Sequence, residues 1–223
     1  GIRFHTDAVQ APAWLDLNFS ELGVCAMSIS GHKVGGPHGI GALIISRDCH
    51  VTPLIHGGGQ ERDVRSGTLD APAIVGFATA LEITSARLSE TVARVAALRD
   101  DLVTRVMQIA PDAIYTGSKI YRLANNAHFI FPGCLGDSLL MLLDAQGVEC
   151  SVGSACNAGV PQPSHVLLAM GADDDAARST LRFSLGSTTT QADVDKLIEV
   201  LPSAIERAKR AGVPKLTTAP VRA

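Results

Sequence analysis

The 223-residue sequence predicts an α/β fold, and three observations carry that expectation. Short apolar segments punctuated by glycine and proline fill the first third of the chain. Two long segments with helical spacing follow, and the remainder alternates strand-like with helix-like stretches.

Taken in order, residues 2–4, 26–29 and 42–45 have the short, nearly continuous apolar character of strands in a sheet covered on both faces. Gly35-Gly36-Pro37 and Gly57-Gly58-Gly59 mark turns after them. From Pro72 the character changes. Residues 73–87 and 89–109 predict helices, the second repeating Val92, Val95, Leu102, Val106 and Ile109 along its length before Pro111-Asp112 ends it. A strand is expected over 127–131, a helix over 137–146 stopped at Gly147, and a strand over 148–152. Then come a short helix over 164–170 ending at Gly171, a strand over 181–185, and a helix over 191–210 interrupted near Pro202. Thr190, with Asp193 three residues on, suits the N-cap of that last helix, where short polar side chains satisfy orphan N–H groups. The expected division is a larger part over 1–110 including a long connecting helix, a small α/β domain with a partly antiparallel sheet over 111–212, and a loose tail over 213–223. No internal repeat is visible.

A hydrophobic fraction of 46% with 18% charged residues belongs to a folded chain. The net charge of −3 gives no basis for a nucleic-acid or membrane-surface partner. No apolar run approaches membrane-spanning length and no N-terminal signal pattern is present, and the cysteine pattern predicts a cytoplasmic setting. The five cysteines are an odd, scattered set without a C-x-x-C pair, which points to reduced thiols and to no metal site. Cys25, Cys134 and Cys150 sit beside apolar residues and read as buried structural thiols; Cys49 lies in the polar stretch Arg47-Asp48-Cys49-His50. The chain opens Gly1-Ile2-Arg3-Phe4 without an initiator methionine, which predicts a piece of a longer polypeptide.

The richest stretch is Ser30-Gly31-His32-Lys33 running into Val34-Gly35-Gly36-Pro37-His38-Gly39. It sets an amine beside an imidazole, a hydroxyl and several glycines after an apolar segment. A lysine so placed can carry a cofactor aldehyde while its neighbours grip the cofactor's phosphate. Three further motifs accompany it. They are His5-Thr6-Asp7-Ala8-Val9-Gln10; Gly58-Gly59-Gln60-Glu61-Arg62 with Arg65-Ser66-Gly67-Thr68; and Gly153-Ser154-Ala155-Cys156, followed by Leu181-Arg182-Phe183-Ser184-Leu185-Gly186.

In order and spacing these motifs resemble the cysteine desulfurases, pyridoxal-phosphate (PLP) enzymes of the aminotransferase class-V family. The Gly-Ser-Ala-Cys form of the last loop is similar to the housekeeping iron–sulfur group, the NifS/IscS-like group I. The resemblance implies the C-terminal part of an aspartate-aminotransferase-like large domain followed by a small α/β domain. It implies Lys33 as the lysine that carries PLP, Asp7 as the carboxylate that keeps the pyridine nitrogen protonated, and Gln10 as a donor to the ring oxygen. Ser30 and His32 resemble the phosphate-contacting and ring-stacking neighbourhood, with His32 also catalytic. Thr68 resembles the residue that reaches the phosphate of a neighbouring subunit, which implies a homodimer; as a residue by itself it also suits the cap of the helix after Pro72. Arg182 resembles the arginine that forks the α-carboxylate of L-cysteine, with Asn125 assisting. Cys156, in a loop of small residues, resembles the thiol that takes the substrate's sulfur as a persulfide while alanine leaves.

The implied partners are L-cysteine and an iron–sulfur scaffold or other sulfur-acceptor protein. The alternatives are another PLP lyase acting on selenocysteine or cysteine, and an inactive fragment serving as an interaction module. His38 and His56 flank glycines and read as incidental loop histidines. Many relatives carry Arg where this chain has Ser187. The family's upstream part, with a helix N-terminus for the phosphate, a stacker over the ring and an Asn to its oxygen, has no counterpart in these residues. The 223-residue chain by itself is therefore expected to bind PLP poorly and to be inactive.

Overall fold

A computed structural model describes residues 2–152 and 163–212 and divides the chain into two units, Gly1–Val92 and Ala93–Ala223. The first unit is built on β2 (Ala26–Ser30), whose leading residues Ala26 and Met27 are buried. β1 (His5–Asp7) runs parallel to it, Thr6 opposite Met27 and Asp7 opposite Ser28, and β3 (Gly41–Ile45) runs antiparallel on its other side. β1 falls downstream of the expected 2–4 strand. Its bounds follow the backbone ladder, from Cys25 N–H on Phe4 O to Ala8 N–H on Ser28 O, and Ile2 and Phe4, the apolar residues that suggested a strand, are exposed. Coverage on both faces does not extend to β3, an edge strand whose Gly41, Ala42 and Leu43 are exposed.

α1 (Ala71–Ala86) starts two residues earlier than its apolar pattern, because Asp70 caps it, accepting Ala73 N–H at 3.1 Å, and Pro72 sits in the first turn where a missing N–H costs nothing. The cap is thus Asp70 and not Thr68. α1 buries Phe77 and buttresses the segment after β2. Thr84 Oγ1 donates to Val34 O at 3.2 Å, and Gly76 lies so close to Pro37 that a Cβ would sit 2.8 Å from its Cγ. α2 (Leu88–Ile109) buries Val95, Leu102 and Val106 and carries the boundary between the two units.

In the second unit β4 (Ile114–Tyr115), β5 (Asn126–Ile130) and β6 (Thr180–Ser184) form a wholly antiparallel sheet in that order. The two-residue alternation puts Ala127 opposite Phe183 and Phe129 opposite Leu181, all four buried, and leaves His128 opposite Arg182 on the other face. Phe129 packs against Phe131, Phe183 and Tyr115 with ring centroids 5.2–6.2 Å apart. α3 (Gly136–Asp144) packs on β6 and on α6 (Gln191–Ala211), which buries Val194, Leu197, Leu201, Ala204 and Ala208 along one stripe. Thr190 and Asp193 close a reciprocal capping box at its start.

α6 does not break at Pro202. Proline removes one backbone bond, but the buried stripe continues on both sides of it, and the burial of several side chains at about 2 kcal/mol each outweighs that loss. The expected strand over 148–152 reduces to one bridge, Ser151 to Arg182. Between them lie α4 (His165–Ala169) and α5 (Asp174–Arg178), the latter capped by Asp173 through Ala176 N–H at 2.8 Å. Among the described residues no helix is long and apolar enough to cross a membrane.

Candidate functional site

Parallel strands end at the same edge of their sheet, so pairing β1 with β2 brings Asp7 to the edge where β2 delivers Ser30, His32 and Lys33. Asp7 is held locally: its Oδ1 accepts Val9 N–H at 3.0 Å, and among the described residues its other oxygen has no partner. Gln10 stands exposed at the head of a 3-10 turn, Ala11–Ala13.

Beyond Ser30 the chain makes a second such turn, Gly31–Val34. Gly31 N–H donates to Ile40 O and Gly36 N–H to Gly31 O, both at 2.9 Å. A Cβ on Gly31 would fall 2.7 Å from Ile40 Cγ2 and 2.9 Å from Pro37 O, so only glycine permits this approach. The turn buries Val34 and leaves His32 and Lys33 facing out. Ser30 Oγ and His32 Nδ1 are hydrogen-bonded at 2.8 Å, and the His32 ring stacks on His38 with centroids 5.5 Å apart. His38, which reads as incidental from sequence, is therefore part of the cluster. The Lys33 amine makes no hydrogen bond or ion pair among the described residues.

Thr68 is exposed, after Gly67 at φ 119°, and no hydrogen bond ties it to Asp7 or to the Ser30–Lys33 cluster. The preceding loop is unusual. Glu61, Arg62 and Asp63 all adopt positive φ, at 51°, 55° and 62°, at a cost of about 1 kcal/mol each for side-chain-bearing residues. Gln60 Oε1 accepts Gly67 N–H at 2.9 Å and ties the loop's two ends.

The second unit gathers its polar groups on the outer face of β5 and β6. Arg182 is fixed through its backbone on both sides, by the β5 ladder and by two bonds to Ser151, at 2.8 and 3.1 Å. Its Nε is buried without a partner among the described residues. A guanidinium N–H shut away from water is costly unless a ligand meets it, and a carboxylate is the natural one. Opposite it, His128 Nδ1 is hydrogen-bonded to Thr116 Oγ1 at 2.8 Å. Burial first, then the positive charges of Arg182 and Arg122, push this imidazole down to about 4, so it is neutral at pH 7.

Arg122 is already committed. It donates to Thr116 O, to Ser118 O at 3.0 Å and to Asn126 O at 3.1 Å, and lies 4.1 Å over the Tyr115 ring. Thr116, Arg122, His128 and Arg182, with Val166 and Met170, line an open cavity of ≈ 340 Å³. Asn126 lines it, whereas Asn125 uses its backbone O on Leu185 N–H and keeps a buried Oδ1 with no partner among the described residues. Sequence reasoning singles out Arg182 and Asn125 but misses His128 and Thr116, since only the β5–β6 register puts an imidazole across from the arginine.

Cys156 lies outside the described residues; Ser151, five positions earlier, is bridged to Arg182. Cys134 is buried, and burial raises its thiol; Cys150, half-buried, is pushed up to about 11 by burial and then by Asp144. Both stay protonated at neutral pH. Cys25 is half-buried, not enclosed as its apolar neighbours suggest.

Comparison with known proteins bears on both units. The chain is 56% identical over 214 residues to an IscS-like cysteine desulfurase of Mycobacterium tuberculosis, covering 96% of this chain and 54% of that one. It is 42% identical to a cysteine desulfurase IscS of Methanosarcina thermophila, covering 92% of this chain and 51% of that one. Among solved structures, a NifS-like protein from Rickettsia africae superposes with a TM-score of 0.83 at 33% identity, over 92% of this chain and 54% of that one. The chain thus spans about half the length of the curated relatives it matches. Residues 1–197 match the aminotransferase class-V family, a stretch that takes in Asp7, Lys33 and Arg182 alike, and the chain belongs to that family.

Proposed function

We propose that the full-length protein is a PLP-dependent cysteine desulfurase that moves sulfur from L-cysteine to Cys156 and releases L-alanine. The observation that carries this reading is the parallel β1–β2 register, which delivers a carboxylate and an uncommitted amine to one sheet edge. The donor set there fits PLP. Asp7 has an oxygen with no partner among the described residues, able to hold a proton on a pyridine nitrogen; Gln10 follows three residues on, and Ser30 and His32 offer hydroxyl and imidazole next to the covalent anchor Lys33. When bound, PLP supplies an electron sink that loosens the bonds around the substrate's α- and β-carbons.

The protein's own part is orientation and sulfur capture. Arg182, whose Nε has no partner among the described residues, holds the α-carboxylate, with Asn125 assisting. Neutral His128 adds no second charge there. The Cys156 thiolate bonds to the substrate sulfur, the Cβ–S bond breaks, and the carbon fragment leaves as alanine after gaining one proton. Thr68 serves the phosphate site of a second subunit, so the working form is a homodimer, and the persulfide passes to an iron–sulfur scaffold or other acceptor protein in the cytoplasm.

Incubating the cofactor-loaded full-length protein with L-cysteine tests this: alanine should appear in step with a persulfide mapped to Cys156. Cys156→Ser should keep the cofactor's visible band and form no persulfide. Undiminished sulfide release by that variant would replace this reading with a lyase.

A further inference from the structure

Cys25 and Cys49 take no part in the chemistry above, yet the fold brings them together. Cys25 directly precedes β2 and Cys49 follows β3, so the antiparallel pair, with Ala26 opposite Ile45, carries both to one end of the sheet. That end lies away from the Lys33 turn, which follows the other terminus of β2. Ser46 N–H donates to Cys25 O at 2.9 Å, extending the ladder by a step, and Cys49 N–H donates to Ser46 O at 3.1 Å, folding the chain back toward Cys25. The Cys25 thiol is near enough to that of Cys49 to raise its pKa, and Phe4 N–H donates to Cys25 Sγ at 3.2 Å. Both are reduced and half-buried, unlike the enclosed Cys134.

We propose that Cys25 and Cys49 are a reversible dithiol–disulfide site, closed by a peroxide or by a small-molecule disulfide. With hydrogen peroxide, a thiolate sulfur attacks one oxygen, the O–O bond breaks, and hydroxide leaves and is protonated to water. The resulting sulfenic sulfur is attacked by the second thiol; the S–S bond forms, the S–O bond breaks, and a second water leaves. Two electrons pass from the sulfur pair to the peroxide. With a small disulfide, two exchange steps give the same bond and two small thiols.

Desolvation first, then the neighbouring Cys25 thiol, holds the Cys49 thiol above the usual range, so it is protonated at neutral pH and closure quickens as pH rises. The bond would close a loop of 25 residues that contains Ser30, His32 and Lys33. Cross-linking such a loop restricts the unfolded chain, which ties the redox state of this corner to the stability of the Lys33 segment. The inference stands apart from the cofactor reading, because its readout is a covalent bond.

The test uses the full-length protein, reduced, freed of reductant and treated with hydrogen peroxide or oxidised glutathione at alkaline pH. Remaining thiols are then alkylated, and the protein is digested with trypsin without reduction. Peptides 4–33 and 48–62 should appear joined, about 2 Da lighter than their sum, and should separate with dithiothreitol. Cys49→Ser should abolish the joined pair. Recovery of both wild-type peptides fully alkylated, or of Cys25 joined to Cys134, Cys150 or Cys156 instead, would overturn the proposal without touching the desulfurase reading.

Discussion

His128 should make the protein's stability fall in a pH window where most carboxylates are still ionised. Its imidazole is held down to about 4 by burial and by the guanidiniums of Arg182, across β6, and Arg122, from the loop before β5. In the unfolded chain the same group titrates near its ordinary 6.5. The folded value is the lower one, so the unfolded state binds the proton first. The stability associated with neutral His128 is complete above about pH 7 and drains away as pH falls toward 4. For this half-buried group the loss amounts to about 2 kcal/mol between pH 7.5 and 5, and about 3 kcal/mol by pH 4. Asp112, Asp193 and Asp195, which hydrogen bonds push below their ordinary 3.8, lose their contribution only lower down. Urea unfolding at pH 7.5 and pH 5, for the wild type and for His128→Asn, isolates the effect. Asparagine can still bond Thr116 Oγ1 but does not titrate. The wild type should lose about 2 kcal/mol more than the variant over that interval. Equal losses in the two proteins would refute the argument.

Substitutions at four further positions probe the scaffold. Gly31→Ala forces a Cβ against Ile40 Cγ2 and Pro37 O and should cost about 2 kcal/mol in urea unfolding, whereas Gly35→Ala, at φ 80° with open space around it, should cost about 1 kcal/mol. Thr190→Ala removes one half of the capping box and should lower stability by about 1 kcal/mol, with Thr190→Ser restoring most of it. Pro202→Ala restores a backbone donor at an exposed position inside α6 and should raise stability by at least about 1 kcal/mol, read from the thermal midpoint.

The long elements were legible because their side chains obey one period. Val95, Leu102 and Val106 on α2, and Leu197, Leu201 and Ala204 on α6, are buried where helical spacing puts them. The capping box at Thr190 was legible for the same reason: its chemistry is local. What escaped was decided between segments. β1 follows β2's ladder and not its own apolar residues, and β4 has only two residues with which to signal. Residues 148–152 look like a strand but pair only at Ser151, and Pro202 breaks a local rule that the buried face of α6 overrides.

The candidate site divides the same way. Lys33, Asp7 and Arg182 can be picked out from motif and residue type, while the His38 stack on His32 and the neighbours His128 and Thr116 depend on chain segments meeting. The approach of Cys49 to Cys25 likewise needs the β2–β3 pairing.

The claim on which the rest turns is that Asp7 and Lys33 share one cofactor at one sheet edge. Borohydride reduction of the cofactor-loaded full-length protein, followed by tryptic mapping, asks this directly. A phosphopyridoxyl group should appear on Lys33, within an uncleaved peptide 4–47, and its yield should collapse in Asp7→Asn. A label on another lysine, or a yield indifferent to Asp7, would contradict the account.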